Sequence, residues 1–430
     1  MIVEDHNYYH ATVRDTAIYK PLAGRVDAKV CIVGGGFAGV NTALGLAERG
    51  VQDVVLLESH YIGRGASGRN GGFVFGGFSL GEETLLAELG AEKARALYAG
   101  TVASVELIRE RIARHAIECS VQDSGVILAN WFRSDAAMLR RQRVLKDVFG
   151  IEWEYLDRAR MRERIHSERY HSGLFEPNAL HFHPLDYLRG IARVAETRGV
   201  RLHEASPVTS LTRDGAGWIV TTATGSVHAE HVVLSCGGYL AGLRREIDAS
   251  ILPIATYILV TEPLGARLAD CFGTRAAVYD TRFAFDYYRP LADTRILWGG
   301  RISVLDRSPA QVKTLLTKDF LKVFPSLAGV RVDYAWSGLM SYARHQMPQI
   351  GQSEPNLWFA QGFGGHGVAP TTLAGETLAS AIAEGGDGWK QFSRFGLASA
   401  YKPAGLLAAQ LSYSRAQLKD RYNEFIEGIF

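Results

Sequence analysis

The hexapeptide Gly34-Gly35-Gly36-Phe37-Ala38-Gly39 is the stretch of this chain whose residue types and spacing most directly imply chemistry. It is a G-x-G-x-x-G turn. In such a turn Gly34 permits the sharp reversal, Gly36 lets the main chain approach a pyrophosphate, and Gly39 lets the following helix pack closely. Phe37 and Ala38 open that helix, whose N-terminus presents unpaired N–H groups to phosphate. Glu58 stands 22 positions after Gly36, where an acid accepts hydrogen bonds from ribose hydroxyls.

The elements that must position these residues are legible around them. Residues 30–33 are a short apolar run suited to a buried parallel strand. Val40, Ala43, Leu44 and Ala47 then share one helical face, with Gly50 as the stop. Residues 54–57 are a second apolar run, ending at Glu58. Strand, turn, helix, strand and acid in that order are the context a dinucleotide site needs. NAD and FAD proteins share it, so the cofactor's identity rests on later segments.

A chain of 430 residues exceeds what one core usually covers, so two domains are expected. A net charge of +2 gives no footprint for nucleic acid. Arg109, Arg111 and Arg114, and the pair Arg140-Arg141, read as solvated helix faces. The four cysteines, Cys31, Cys119, Cys236 and Cys271, form no C-x-x-C pair, so neither a disulfide framework nor a metal site is expected. Cys31 and Cys236 sit in apolar runs and read as buried thiols in a reducing compartment. Residues 1–6 lack the basic and apolar regions of a signal segment, and no window is apolar for long enough to span a membrane. A cytoplasmic protein is expected.

Residues 1–28 read as an irregular lead-in. Residues 59–79 are rich in glycine and read as a long loop passing close to a ligand. A helical stretch broken near Gly90 and Gly100 carries the stripe Val102, Val105, Ile108 and Ile112. Another helix spans 135–149, with a strand at 125–129 between the two. His181-Phe182-His183-Pro184 reads as a strand end and helix cap, with Pro184 in the first turn. Residues 200–236 are strand-rich and close on Gly237-Gly238, where the main chain is expected to approach the adenosine end of the ligand. Residues 251–305 are strand-rich again, at 254–261, 283–288 and 295–300, and a helix follows with Pro309 in its first turn. Near the end, a strand at 357–360, a glycine loop at 362–367 and a helix at 370–383 repeat the logic of the opening unit. A flavin, whose ring lies far from its pyrophosphate, accounts for that second loop better than a nicotinamide does.

The combination resembles a known family. Asn7-Tyr8-Tyr9, the fingerprint, Gly65-Ala66-Ser67-Gly68-Arg69-Asn70-Gly71-Gly72, His181–Pro184, Phe285-Asp286-Tyr287-Tyr288-Arg289, Met347-Pro348-Gln349-Ile350-Gly351 and the 362–367 loop are similar to segments of FAD-dependent amine and amino-acid oxidases. The type is that of D-amino-acid oxidase and glycine oxidase, and the nearest branch is the one that oxidises gamma-glutamylputrescine. The resemblance implies a discontinuous Rossmann-like FAD-binding domain, residues 1–90, 170–245 and 335–430. A mixed-sheet substrate domain would comprise residues 91–169 and 246–334. It implies that Gly34, Gly36, Phe37, Ala38 and Gly39 line the pyrophosphate and Glu58 and Ser59 the ribose. Arg64, Gly65, Ala66, Ser67, Asn70, Gly71 and Gly72 would wrap pyrophosphate and flavin. Val208, Cys236 and Gly237 would lie on the adenosine side, and Gly362, Phe363, Gly364, Gly365, His366 and Gly367 against the isoalloxazine.

Two departures sharpen the expectation. Relatives that hold flavin covalently use a cysteine after Trp336 or a histidine in the early glycine loop. Here no cysteine follows Cys271 and the loop carries Arg69-Asn70, so non-covalent FAD is expected. Amino-acid oxidases of this type also carry an arginine in a W-x-G-L-R-P segment that grips the substrate carboxylate. Here Trp336-Ser337-Gly338-Leu339 is followed by Met340, which favours an amine, or an amino acid gripped elsewhere.

The implied reaction moves a hydride from the amine-bearing carbon to flavin, giving an imine that water hydrolyses to an aldehyde or ketone. Oxygen is the expected acceptor and a gamma-glutamylputrescine-like amine the expected substrate. The alternatives are a secondary or cyclic amino acid such as L-pipecolate or sarcosine, a non-oxygen electron acceptor, an NAD-dependent enzyme, and a non-catalytic flavoprotein subunit. Catalytic candidates are His366, Tyr257, Tyr288 and Arg289, with Tyr287 and Arg301 beside them. On strand alternation Asp286 and Tyr288 share one face and Tyr287 and Arg289 the other. Arg289 and Arg301 are candidates to hold a substrate carboxylate.

Overall fold

The structure is a computed structural model and describes residues 7–429. Residues 1–6, on which the signal-segment reading rests, lie outside the described residues. Two eight-stranded sheets dominate the molecule. The first is centred on Gly24–Val33, flanked in parallel by Val54–Leu57 and Gly225–Leu234. Arg201–His203 extends it on one side and Leu357–Gln361 on the other, both parallel. Gln349–Glu354 closes that edge antiparallel.

Residues 30–33 and 54–57 at the heart of this sheet are apolar at every position because both faces are covered there. Val30, Ile32, Val54 and Leu56 face the helical side, while Cys31, Val33, Val55 and Leu57 pack with Trp218, Val220 and Val227 on the other. On the helical side Phe37–Glu48 and Val368–Glu384, from opposite ends of the chain, lie in contact. Gly375 makes that approach possible, since a Cβ there would stand 2.5 Å from Asn41 Cβ.

The second sheet runs, in spatial order, Val332–Ala343, Ile251–Thr261, Ile296–Ser303, Tyr287–Pro290, Ala277–Asp280, Val126–Ala129, Gly173–Glu176 and Glu154–Leu156. Every pairing is antiparallel except that of Ala277–Asp280 with Val126–Ala129. Helix Pro309–Val323 covers one face, started by a Ser308/Gln311 capping box, and buries Val312, Leu316 and Phe320.

Several expectations need correction. Helix Ala91–Arg114 runs through Gly100 and packs on Val368–Glu384, so it belongs to the first sheet's helical layer rather than to a segment 91–169. Arg111 on it is fully buried, not solvated. Its guanidinium bonds Asn41 at 2.9 Å, Glu48 at 2.6 Å and Glu376 at 2.5 Å, tying three helices. The boundary at 335 falls inside Val332–Ala343, and Gly173–Glu176 lies in the second sheet although it follows 170. The strand expected at 283–288 is only Tyr287–Pro290. Asp280 and Asp286 clamp Arg282 between them and fold the preceding residues into a loop. The lead-in contains a short helix, Tyr8–Thr12, capped by Asn7. A long terminal helix, Ala404–Ile429, was not foreseen.

Candidate active site

Between the two sheets lies an elongated cavity of about 1590 Å³. At one end is the glycine turn. Gly34 has φ +113°, and a Cβ there would stand 2.7 Å from the Ser235 carbonyl oxygen, so the main chains of two adjacent strands meet at this point. A Cβ on Gly36 would enter the space beside Ser67 Oγ, and one on Gly39 would collide with the Gly34 carbonyl. The Phe37 amide donates to Ser67 Oγ at 2.9 Å. Glu58 Oε2 accepts from the Gly35 amide at 2.7 Å, while Oε1 accepts from the Ser59 hydroxyl and the His60 amide, each at 3.0 Å. The acid is thus fixed at the strand tip, on the cavity wall. Val208, Cys236 and Gly237 line the same end, and burial pushes the Cys236 thiol up to about 12, so it stays protonated.

The next stretch of wall is the segment from Arg64 to Gly71. Asn70 staples it: Nδ2 donates to the carbonyls of Ala66 at 3.1 Å and Ser67 at 2.8 Å, and Oδ1 accepts from the Gly72 amide at 2.8 Å. Arg69 donates to the carbonyls of Arg64 and Ser337, and the Trp336 indole returns a bond to the Arg69 carbonyl at 3.0 Å. The octet is therefore locked onto strand Val332–Ala343, where Met340 faces the cavity.

At the far end stands the 362–367 loop. The Gly364 amide donates to the Ser341 carbonyl at 2.7 Å. Ser79 bridges the loop, donating to the Phe363 carbonyl at 3.1 Å and accepting from the His366 amide at 3.2 Å. His366 Nε2 lies 3.1 Å from the Phe75 carbonyl, so that nitrogen carries the proton and Nδ1 is left as an acceptor. Burial pulls its pKa down to about 4, and the imidazole is neutral at pH 7. Its ring lies 4.1 Å from that of Phe75. Phe75 stacks on Tyr279 at 5.5 Å, Phe73 meets Tyr287 edge-on at 5.7 Å, and Phe285 bridges Tyr279 and Tyr287. These rings form one continuous wall of the cavity.

A family model described as "DAO: FAD dependent oxidoreductase" matches residues 29–381 of this chain. The chain belongs to the DAO family of FAD-dependent oxidoreductases. It is 34% identical over 378 residues to gamma-glutamylputrescine oxidoreductase of Escherichia coli, covering 87% of this chain and 88% of that one. It is 33% identical over 382 residues to the probable oxidoreductase OrdL of Haemophilus influenzae, with the same shares of 87% and 88%. Glycine oxidase from Geobacillus kaustophilus superposes with a TM-score of 0.72 at 21% identity, over 86% of this chain and 98% of that one. L-proline dehydrogenase from P. horikoshii gives 0.72 at 18% identity, over 87% and 98%. The fold is the one these oxidoreductases share.

The cavity of this DAO-family chain fits FAD on its own terms. It is large enough for the whole cofactor, and a cradle that any Cβ would fill sits at the phosphate end. Gly34, Gly36, Phe37, Ala38, Glu58, Ser59, Arg64, Gly65, Ala66, Ser67, Asn70, Gly71, Val208, Cys236, Gly237, Phe363, Gly364, Gly365, His366 and Gly367 all line it. Gly39, Gly72 and Gly362 do not. They serve packing and turns behind the wall: a Cβ on Gly72 would strike the Phe182 carbonyl and the Arg289 guanidinium.

Of His366, Tyr257, Tyr288 and Arg289, only His366 lines the cavity, joined there by Tyr287 and Arg301. Tyr257 is 1% exposed in the second sheet's core, with its hydroxyl on the Leu305 carbonyl at 2.5 Å. Tyr288 stacks flat on Trp298 at 4.5 Å and is wholly buried. Arg289 turns inward, donating to the Gly71 carbonyl at 2.6 Å and the Phe182 carbonyl at 2.8 Å, with Nη1 3.2 Å from His181 Nδ1. It supports the glycine octet from behind. Arg301 lines the cavity but is held by Asp319 through two bonds of 2.7 and 2.8 Å. Strand alternation put Tyr287 and Tyr288 on opposite faces, and the structure turns Tyr287 to the cavity and Tyr288 away from it. Sequence reasoning missed Phe73, Phe75, Tyr279, Glu82 and Arg141. For the two phenylalanines a signal existed, as alternate apolar residues inside a glycine-rich loop. The other three lie far apart in the chain and carry none.

Proposed function

We propose that this chain oxidises an amine at its C–N bond, that the preferred substrate is a gamma-glutamylputrescine-like amine, and that oxygen is the acceptor. The 34% identity over most of the chain to gamma-glutamylputrescine oxidoreductase carries the reading. The cavity supports it, since Met340 replaces the arginine that small amino-acid oxidases direct at a carboxylate, and a set of aromatic rings lines the same cavity. FAD, when bound, accepts the hydride from the amine-bearing carbon. It would be held without a covalent bond by the cavity-lining glycines, with Glu58 for the ribose and the 362–367 loop for the ring.

The chain's own residues do the remaining work. The wall of Phe73, Phe75, Tyr279, Phe285 and Tyr287 excludes water and orients an extended alkyl amine. Such faces also attract a cationic amine before it loses its proton. His366 is held neutral at pH 7 by its burial, so its part is to hydrogen-bond substrate or flavin rather than to carry charge. A visible spectrum of the purified protein followed by anaerobic titration with gamma-glutamylputrescine, cyclic imino acids and N-methyl amino acids tests the proposal. Bleaching of the flavin bands by gamma-glutamylputrescine at the lowest concentration, with hydrogen peroxide released in air, is the expected result. Bleaching only by sarcosine or pipecolate would overturn the substrate, and turnover without peroxide the acceptor.

A further inference from the structure

One side of the cavity carries a buried polar cluster that the flavin reading leaves unused. Five elements bring it together. Glu82 opens helix Glu82–Leu89, Tyr98 lies on Ala91–Arg114, and Arg141 on Ala136–Val144. Glu176 ends strand Gly173–Glu176, and Tyr279 comes from Ala277–Asp280. Glu82, Arg141 and Tyr279 line the cavity, and Tyr279 stacks on Phe75, so the cluster adjoins the aromatic wall. Arg141 donates to Glu82 at 2.7 Å, which leaves the pair without net charge.

What remains is a surplus of donors. Arg141 Nε is buried with no partner, and so are the hydroxyls of Tyr98 and Tyr279 and Oε2 of Glu176. Tyr98 is 2% exposed and Glu176 7%. Burial raises the Glu176 carboxyl to about 8, so at pH 7 it is a further O–H donor rather than an acceptor. Donors left unmet in a low-dielectric site are costly, and a native protein rarely gathers several in one place without an acceptor for them. The missing chemistry is an anion with oxygen acceptors.

We propose that this cluster is a carboxylate subsite: Arg141 and Tyr279, which line the cavity, grip an acid group on the substrate with the Tyr98 hydroxyl behind them, while Glu82 takes an adjacent ammonium. An α-amino-acid head at the far end of an amine presents that pairing of groups, and this identification of the ligand rests on the amine-oxidation reading above. The subsite stands on different elements from strand Val332–Ala343, which carries Met340, so it would restore by another route the anion grip that Met340 lacks.

The test uses the holoenzyme with two probes, hexanoate and its neutral amide, hexanamide, each followed by perturbation of the flavin spectrum and by thermal shift. Wild type is expected to bind hexanoate about tenfold more tightly than hexanamide or better. Tyr98→Phe and Tyr279→Phe remove only an oxygen, and each should weaken hexanoate about fivefold while leaving hexanamide unchanged. Arg141→Met should abolish the preference. With gamma-glutamylputrescine Tyr98→Phe and Arg141→Met should raise KM and spare kcat, and Tyr98→Phe, which lies behind the cavity wall, should turn over N-acetylputrescine as wild type does. Equal binding of the two probes by wild type, or a preference that survives the Tyr98→Phe/Tyr279→Phe double variant, would overturn the subsite. The tyrosine variants decide the matter if Arg141→Met does not fold. Failure of every amine to bleach the flavin would sink the substrate reading and leave the hexanoate titration to judge the subsite.

Discussion

The two ends of the cavity are built by opposite means. At the phosphate end, main chain approaches main chain: Gly34 against Ser235, Gly39 against Gly34, and Asn70 stapling the octet to its own carbonyls. At the aromatic end, side chains from separate segments meet across the cavity, and several polar atoms among them are unpartnered. A surface made of backbone has one shape and holds one ligand. A surface made of side chains can be altered residue by residue without touching the fold. One family can therefore keep its cofactor and change its substrate.

That contrast breaks first at Gly34. A side chain at φ +113°, beside a backbone oxygen that cannot withdraw, forces strands Gly24–Val33 and Gly225–Leu234 apart. Gly34→Val is expected to yield protein without flavin, read as a colourless preparation, with stability lower by about 3 kcal/mol or more. A yellow, fully loaded variant would refute the backbone account of this end.

Arg289 sharpens the boundary between the two ends. It is 3% exposed and holds the carbonyls of Gly71 and Phe182, so its job is to support the octet. Arg289→Met should cost about 3 kcal/mol in urea unfolding, because buried acceptors lose a charged donor. It should also lower flavin retention while leaving kcat/KM per bound flavin near wild type. A variant that is stable yet catalytically dead would return Arg289 to the list of catalytic groups.

The smallest effect probes the donor-rich cluster through pH. Burial raises Glu176 from the ordinary carboxylate range to about 8. Between about pH 5 and 8 the folded chain keeps a proton that the unfolded chain has released, so this group's contribution to stability falls as pH rises through that window. Glu176→Gln removes the slope. The variant should match wild type near pH 5 and exceed it by about 2 kcal/mol at pH 8, measured by denaturant titration at both values. Parallel curves for the two proteins would show that Glu176 is ionised in the fold.

The opening strand–turn–helix–strand unit was legible because every interaction that defines it is local and periodic. The second glycine loop and the His183–Pro184 cap were legible for the same reason, a turn residue followed at once by a helical pattern. The terminal helix escaped because its period misleads. Leu407, Leu411, Leu418, Tyr422 and Phe425 form an apolar stripe that is exposed, whereas polar residues dock it: Gln410 on Ser303 and Val304, Asp420 on the Phe283 amide, and Glu424 on Arg169. Arg111 and Arg141 escaped likewise, since a charged residue on a helix looks solvated until its partners from other helices are known.

Local order along the chain determined that a dinucleotide binds here, and the later glycine segments pointed to FAD, because glycines at fixed offsets constrain the backbone wherever they occur. Only the tertiary structure decided which face of 286–289 meets the cavity. It also withdrew Tyr257, Tyr288 and Arg289 from the chemistry and set Glu82, Tyr98, Arg141, Glu176 and Tyr279 together. Those contacts join residues up to nearly 200 positions apart, for example Glu82 and Tyr279. Their energy comes from burial and pairing, which have no period in sequence and exist only once the two sheets have closed on each other.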